Sequence, residues 1–533
     1  MSQNARLDEE QSTARRARIL GLQYIDVTQI DPKPLYKELM PLQDMQSLRI
    51  VPLHAAEHAI TFGITTSTSQ QTIQTMRQKF LDHQVSFAII SDTGYRDYMQ
   101  LYNPPKKVEY ESIQITGTDD VQLVDRVSTM LDQVKADDML AYLVQQAHKL
   151  GASDIHLESQ VDHTRIRFRI DGVLHIIAKI SQEKYRILIS AIASAGNIST
   201  AAQEAQQGHI MQSVTMQDGS DVSVNLRLET APTVNGMDVV MRLFNMDQSM
   251  YNLDRLGLQP QERVIIDGII SKPSGLVLVV GPTGSGKTTT LYSMLNTLNN
   301  SERKIVTIED PVEYRFAGMS QLSVTTQNST QSSFAERLRA TLRLDPDVIM
   351  VGEIRDNDTA KTALQAALTG HLVLSTFHAS SASAAMTRLV DVIGQNPLFT
   401  SAIRLVMAQR LVRRLDPDTK QGYAPDQQQL KFIQDVLNTL PPQVQRPSLD
   451  SITLYKPVPS ESSPYGFKGQ LALREQFMMS DSIRQLMSSD DVLSSQLIEQ
   501  AAVHDGMITM LQNGILLVLA GETTLEEVYR VVG

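Results

Sequence analysis

An unbroken apolar stretch, Leu276-Val277-Leu278-Val279-Val280, runs directly into Gly281-Pro282-Thr283-Gly284-Ser285-Gly286-Lys287-Thr288-Thr289, and then into a segment with Leu291, Leu295 and Leu298 on one helical face. A strand, a glycine-rich loop and a helix in that order make a P-loop and commit the segment to an α/β architecture. The glycines let the backbone curl so that successive N–H groups, reinforced by the helix N-terminus, surround nucleotide phosphates. Residues 281–289 are thus candidate ATP-binding residues: Lys287 would reach the β- and γ-phosphates and Thr288 would ligate Mg2+. The alternative is a glycine-rich surface turn.

Two further apolar stretches end in acids. Lys304-Ile305-Val306-Thr307-Ile308 leads into Glu309-Asp310-Pro311-Val312-Glu313, and Val348-Ile349-Met350-Val351 leads through Gly352 into Glu353. The carboxyl ends of buried parallel strands face the crevice in which such sheets bind ligands. One acidic strand end there would hold the metal's water shell, with Glu309 as the second Mg2+ candidate beside Thr288, partly through water; the other would orient and deprotonate the attacking water. Solvated loop acids are the plain alternative. His371 and His378 flank a third strand, Leu372 to Ser375; His378, at its end, stands where P-loop motors keep a γ-phosphate sensor.

The chain of 533 residues is too long for one ordinary domain. Residues 1–18 are polar and mixed in charge, and read as a flexible arm. Residues 19–103 alternate short apolar stretches with amphipathic ones, as a small α/β domain does; Asn103-Pro104-Pro105 then opens a linker, 104–135. A second α/β domain, 136–249, begins with an amphipathic helix from Asp137 to Leu150, and hairpin turns are expected at Asp171-Gly172 and Asp218-Gly219. The P-loop core spans 250–410 and a helical C-terminal region 411–533, including a helix with Leu430, Ile433, Leu437 and Leu440 on one face. No apolar run reaches the roughly 18 residues that cross a bilayer, so any membrane role goes through a partner. The net charge of -11 and the lack of a basic stripe disfavour a nucleic-acid track.

Four segments together resemble the secretion ATPases that drive type IV pilus assembly and type II secretion. GPTGSGKTTTLYSML is similar to that family's Walker A motif, TIEDPVEY to its aspartate box, LRLDPDVIMVGEIRD to its Walker B and TGHLVLSTFHASSA to its histidine box. The resemblance extends upstream to LGASDIHLES and RIRFRIDGVL, and downstream to GETTLEEVYRV. It implies a RecA-like P-loop ATPase core with mixed α/β N-terminal domains, the second of them PAS-like, and a helical C-terminal subdomain. It also implies a cytoplasmic homohexamer that hydrolyses Mg-ATP. Such a ring sits peripherally on an inner membrane, through a platform protein and other pilus or secretion components, without inserting into the bilayer. Glu353 maps onto the general base, and Glu309, Asp310 and Glu313 onto the aspartate-box acids. Arg227 maps onto an arginine of the second N-terminal domain that completes the nucleotide site.

Two departures matter. A second such arginine usually lies where this chain has Gln207-Gly208-His209, and His209 would replace it only when protonated. Many members also hold zinc with four cysteines in the C-terminal region; this chain has no cysteine, and Leu415-Asp416-Pro417-Asp418 stands at the first pair, so no zinc is expected there. The domain before Pro104 argues for pilus assembly, since retraction ATPases usually lack it. The type II secretion motor is the alternative, and a nucleic-acid translocase a more distant one.

Overall fold

The computed structural model describes residues 3–30, 33–102, 113, 121–135, 138–215, 221–244, 251–324, 334–394, 397–450, 452–460, 463–488 and 494–533. They form two units, Met1–Tyr110 and Glu111–Gly533.

In the first unit, strands Gln23–Tyr24, Gln84–Ile89, Ala59–Ile64 and Ile50–Ala56 pair in that order. Ile60, Phe62 and Tyr98 are fully buried at its centre. The expected flexible arm is instead part of an 18-residue helix, Gln3–Leu20. Ala17 is buried, Glu10 accepts from the Tyr24 hydroxyl and from Ser91 Oγ, both at 2.7 Å, and Glu9 accepts from the Thr93 N–H at 3.1 Å. Polar contacts of this kind leave no apolar periodicity, which is why a mixed-charge segment read as mobile.

The second unit opens with an antiparallel six-stranded sheet in the order Val173–Ser181, His163–Ile170, Ala152–Ser159, Gly236–Phe244, Asp221–Thr233, Gln206–Thr215. Period-two alternation sets its faces. Ile155, Leu157, Ile166, Phe168, Leu226 and Leu228 are fully buried, whereas Arg165, Arg167 and Arg169 alternate with them along their strand. The helix expected from Asp137 runs Met139–Lys149. Asp171 and Gly172 both take positive φ, 47° and 82°, as a two-residue hairpin turn requires. The expected turn at Asp218-Gly219 lies outside the described residues.

The linker is shorter than 104–135. Helix Val121–Gln133 buries Val127 and Leu131, and Ser128 Oγ accepts from the Lys179 N–H at 2.8 Å, so this segment belongs to the second domain. Most of the remaining linker lies outside the described residues.

The core is a seven-stranded sheet in the order Met319–Ser323, Ile305–Glu309, Val348–Val351, Leu372–Phe377, Gly275–Val280, Ile403–Leu415, Phe467–Met478. All neighbours are parallel except the last pair. Leu276, Leu278 and Val280 face one hydrophobic cluster and Val277 and Val279 another. Burial on both faces explains the unbroken apolar run, each such side chain contributing about 1.5–3 kcal/mol. The expected boundary at 410/411 cuts a strand, and the C-terminal region supplies the antiparallel edge strand, so that region is not purely helical. Its interspersed polar residues, such as Gln409, Arg410 and Arg413, hid the strand Ile403–Leu415 from a search for apolar runs.

At Leu415-Asp416-Pro417-Asp418, where no zinc is expected, the backbone is tied by hydrogen bonds. The Asp416 N–H donates to Gly466 O at 3.1 Å, Asp416 Oδ1 accepts from the Asp418 N–H at 3.1 Å, and Lys420 Nζ donates to Gly521 O at 2.7 Å. Helix Gln427–Asn438 buries Ile433, Val436 and Leu437 beside them.

Glu527 anchors the end of the chain. Its buried carboxylate accepts from Arg413 N–H at 3.0 Å, Arg413 Nη2 at 2.7 Å and Arg530 Nη2 at 2.6 Å. Burial pushes its pKa up, but the bonds from Arg530 and Arg413 prevail and hold it at about 2 against an ordinary 4.5. A depressed carboxylate stabilises the fold above its unfolded pKa, and this contribution fades as pH falls from 4.5 towards 2. In urea denaturation at pH 7, Glu527→Gln should cost about 2–3 kcal/mol, and the difference should shrink to about half at pH 3. A gap independent of pH would contradict the assignment.

Candidate functional site

The P-loop strand ends at Val280, and helix Lys287–Leu298 begins one loop later. Gly281, Gly284 and Gly286 have φ of 150°, 77° and 82°, a backbone that side-chain-bearing residues rarely adopt. A Cβ at Gly281 would come within 2.6 Å of Gln409 O and of Ser285 Oγ. Lys287 Nζ donates to Gly281 O at 2.9 Å and Pro282 O at 2.7 Å, which holds the ammonium in the loop's curl. Burial lowers the Lys287 pKa, the Glu353 charge raises it and Arg410 lowers it.

Gln409, which sequence reasoning missed, braces the loop from the neighbouring strand. Its Nε2 donates to Ser285 O at 2.6 Å and its Oε1 accepts from Thr290 Oγ1 at 3.0 Å, with the side chain buried. A lone glutamine in a strand carries no motif to find it by.

Residues 282–289 border a cavity of about 870 Å3 together with Glu309, Asp310, Glu313, Glu353 and His378. The sequence candidates therefore converge, with two exceptions: Gly281 and Arg227 are not part of its wall. Glu353 lies beyond the strand Val348–Val351 with its side chain 15% exposed; His378 Nε2 is 2.8 Å from one carboxylate oxygen and Arg355 Nε donates to the other at 2.7 Å. Cross-strand bonds fix this end of the sheet, Ser375 Oγ donating to Val351 O at 2.8 Å and Thr376 Oγ1 to Gly352 O at 2.6 Å. His371 sits apart, its Nδ1 3.0 Å from Ala366 O at a helix end.

The aspartate-box acids differ in environment. Glu309 is buried, and its carboxylate accepts from Tyr292, Thr307 and Gln321, so it is already engaged by protein donors. Asp310 faces Arg355 at 3.7 Å. Burial raises the Glu313 pKa and Glu309 adds to the rise, while Arg242 and Arg227 pull it down.

Those arginines belong to one transverse row of the six-stranded sheet. Arg169, Asp154, Arg242, Arg227 and His209 stand directly opposite one another across five adjacent strands. Arg169, Asp154 and Arg242 line the cavity; Arg227 lies one strand further out, 3.4 Å from Glu229. Sequence reasoning found Arg227 and missed Arg242, although the latter interrupts an apolar strand, Val239-Val240-Met241-Arg242-Leu243-Phe244.

The arrangement suits a nucleoside triphosphate. The buried Ser285 hydroxyl within the glycine loop lacks a hydrogen-bond partner, and nothing stands within 4 Å of a Cβ built on Gly284. The oxygen donors around it, Thr288 and several carboxylates, are those that Mg2+ takes. Among the described residues no helix is long and apolar enough to cross a membrane.

Comparison with known proteins gives the family and the fold. Residues 131–530 match the family model described as type II/IV secretion system protein. The chain is 32% identical over 529 residues to type II secretion system protein E of Xanthomonas campestris, covering 97% of this chain and 89% of that relative. It is 31% identical over 532 residues to the type IV pilus assembly ATPase of Myxococcus xanthus, covering 98% and 91%. The structure of the Legionella pneumophila ATPase DotB superposes with a TM-score of 0.54 at 21% identity, covering 74% of this chain and 95% of that one, a likeness of fold.

Proposed function

The chain belongs to the type II/IV secretion system protein family and is an ATPase with a RecA-like P-loop core, and from that premise we propose that it is a hexameric motor coupling Mg-ATP hydrolysis to type IV pilus assembly. In this reading it acts on an inner-membrane platform protein from the cytoplasmic side. The hydrolytic part rests on one observation above all: Glu353 stands in the same cavity wall as the P-loop, held between His378 and Arg355.

The loop N–H groups and Lys287 would hold the phosphates, and Thr288 would hold Mg2+ with Glu309 in support. Mg2+ supplies charge neutralisation at the phosphate oxygens. Glu353 orients water and accepts its proton as the water attacks, and His378 fixes the orientation of the carboxylate and senses the γ-phosphate. Arg242, with Arg227 behind it, brings positive charge to the phosphates as the second N-terminal domain approaches. Glu313 faces the same arginines and keeps them partnered between turnovers.

Chelation should therefore stop hydrolysis without loosening the fold. EDTA is expected to abolish phosphate release and leave the melting temperature unchanged, with Mg2+ restoring turnover; a lower melting temperature in EDTA would contradict a zinc-free C-terminal region.

A type II secretion motor is the second reading, favoured by the relative from Xanthomonas campestris, which matches as much of the chain as the pilus ATPase does. Deleting the gene and restoring it as wild type or Lys287→Ala distinguishes the two. Loss of surface fibres by electron microscopy in the deletion and in the Lys287→Ala strain supports pilus assembly. Normal fibres with blocked secretion support the second reading.

A further inference from the structure

The transverse row places two arginines, Arg242 and Arg227, directly beside each other, with Arg169 two strands from Arg242. Opposed residues on neighbouring strands have Cβ atoms about 5 Å apart, and like charges so placed destabilise each other. Asp154 is the only acid in the row, between Arg169 and Arg242. Its side chain is 5% exposed; Oδ1 accepts from Arg242 Nε at 2.9 Å, and Oδ2 lies 3.3 Å from Arg169 Nε and accepts from Ser153 Oγ at 2.8 Å. Both carboxylate oxygens are thus committed on the same face that borders the nucleotide cavity.

We infer that Asp154 is a positioning residue for ATP hydrolysis, a buried carboxylate that holds the Arg242 guanidinium in the plane from which it meets the phosphates. A guanidinium is planar, so fixing Nε fixes the plane shared by its terminal nitrogens. Without Asp154, the nearby negative charges acting on Arg242 are those of Glu229 and Glu313. Arg242 would then be drawn out of that plane towards these acids.

Asp154 also connects the arginine to the contact between domains within this unit. Arg169 Nη1 donates to Gly172 O at 3.1 Å, in the hairpin turn. The adjacent Asp171 carboxylate accepts from the Gly469 N–H, in the edge strand of the ATPase sheet. A shift of that turn is passed through Arg169 and Asp154 to Arg242. A supporting shell of this kind decides whether a functional group stands in its productive geometry.

The inference rests on the proposed role of Arg242, and a double-mutant cycle separates the two. Full-length wild type, Asp154→Asn, Arg242→Ala and the double variant are compared for kcat and KM with Mg-ATP, with thermal melting alongside. Asp154→Asn should lower kcat at least ~10-fold with KM changed by less than ~3-fold, and should cause no further loss in the Arg242→Ala background. Losses that multiply, or an Asp154→Asn variant with unchanged kcat, would overturn the positioning role. Full turnover by Arg242→Ala alone would instead overturn the arginine assignment beneath it. If Asp154→Asn does not fold, Asp154→Glu keeps the charge and displaces the carboxylate by one methylene, and the same cycle is read with it.

Discussion

Glu353→Gln is expected to lower ATP turnover by roughly 10²–10⁴-fold, the contribution of a positioned general base, while leaving ATP binding intact. Glutamine is nearly isosteric and its oxygen can still accept from His378, which lies 2.8 Å from the carboxylate, but it cannot take a proton from water. The fold should be unaffected, because the other partner, Arg355, is 60% exposed and loses only a surface ion pair worth less than about 1 kcal/mol. Phosphate release at saturating ATP, measured beside binding of a fluorescent ATP analogue, checks both halves. Wild-type turnover in the variant would remove Glu353 from the mechanism.

Lys287→Ala should abolish turnover through a different step, weakening binding of the triphosphate and lowering kcat by about 10²–10³-fold, as loss of one charge-stabilising donor does. Lys287 Nζ is bonded within its own loop, to Gly281 O and Pro282 O. Gln409, Thr290 and the buried strand Gly275–Val280 hold that loop independently. Unfolding in urea should therefore be unchanged, and ATP should protect the wild type but not the variant. Equal protection of both by ATP would contradict the assigned role.

The parts of this site legible in the sequence were those fixed by local chain chemistry. A strand, a glycine-rich loop and a helix must follow one another within a few residues, and acids at the ends of apolar strands announce themselves through Ile308-Glu309 and Val351-Gly352-Glu353. Contacts made across strands were not legible. Gln409 reaches the P-loop from a strand more than a hundred residues later, and Asp154 meets Arg242 only because two distant strands pair in one register. The same limit produced the misplaced boundaries. The edge strand Phe467–Met478 joins the core sheet across a long interval of loops and helix, and the helix Gln3–Leu20 is held by Glu9 and Glu10 through hydrogen bonds.

Glu309 shows why a motif position does not state a role. The aspartate box supplies three acids, but burial and donors from Tyr292, Thr307 and Gln321 engage one of them, while Glu313 is left facing arginines. Burial and partners, set by the fold, divide residues that the sequence presents as equivalent.

The central claim is that this cavity hydrolyses Mg-ATP, and phosphate release by the purified full-length chain tests it most directly, with Lys287→Ala as the background. Mg2+-dependent release that saturates with ATP and exceeds that background by at least about 10²-fold is the expected result. Release by the wild type no greater than by Lys287→Ala, in a preparation that binds ATP, would contradict it.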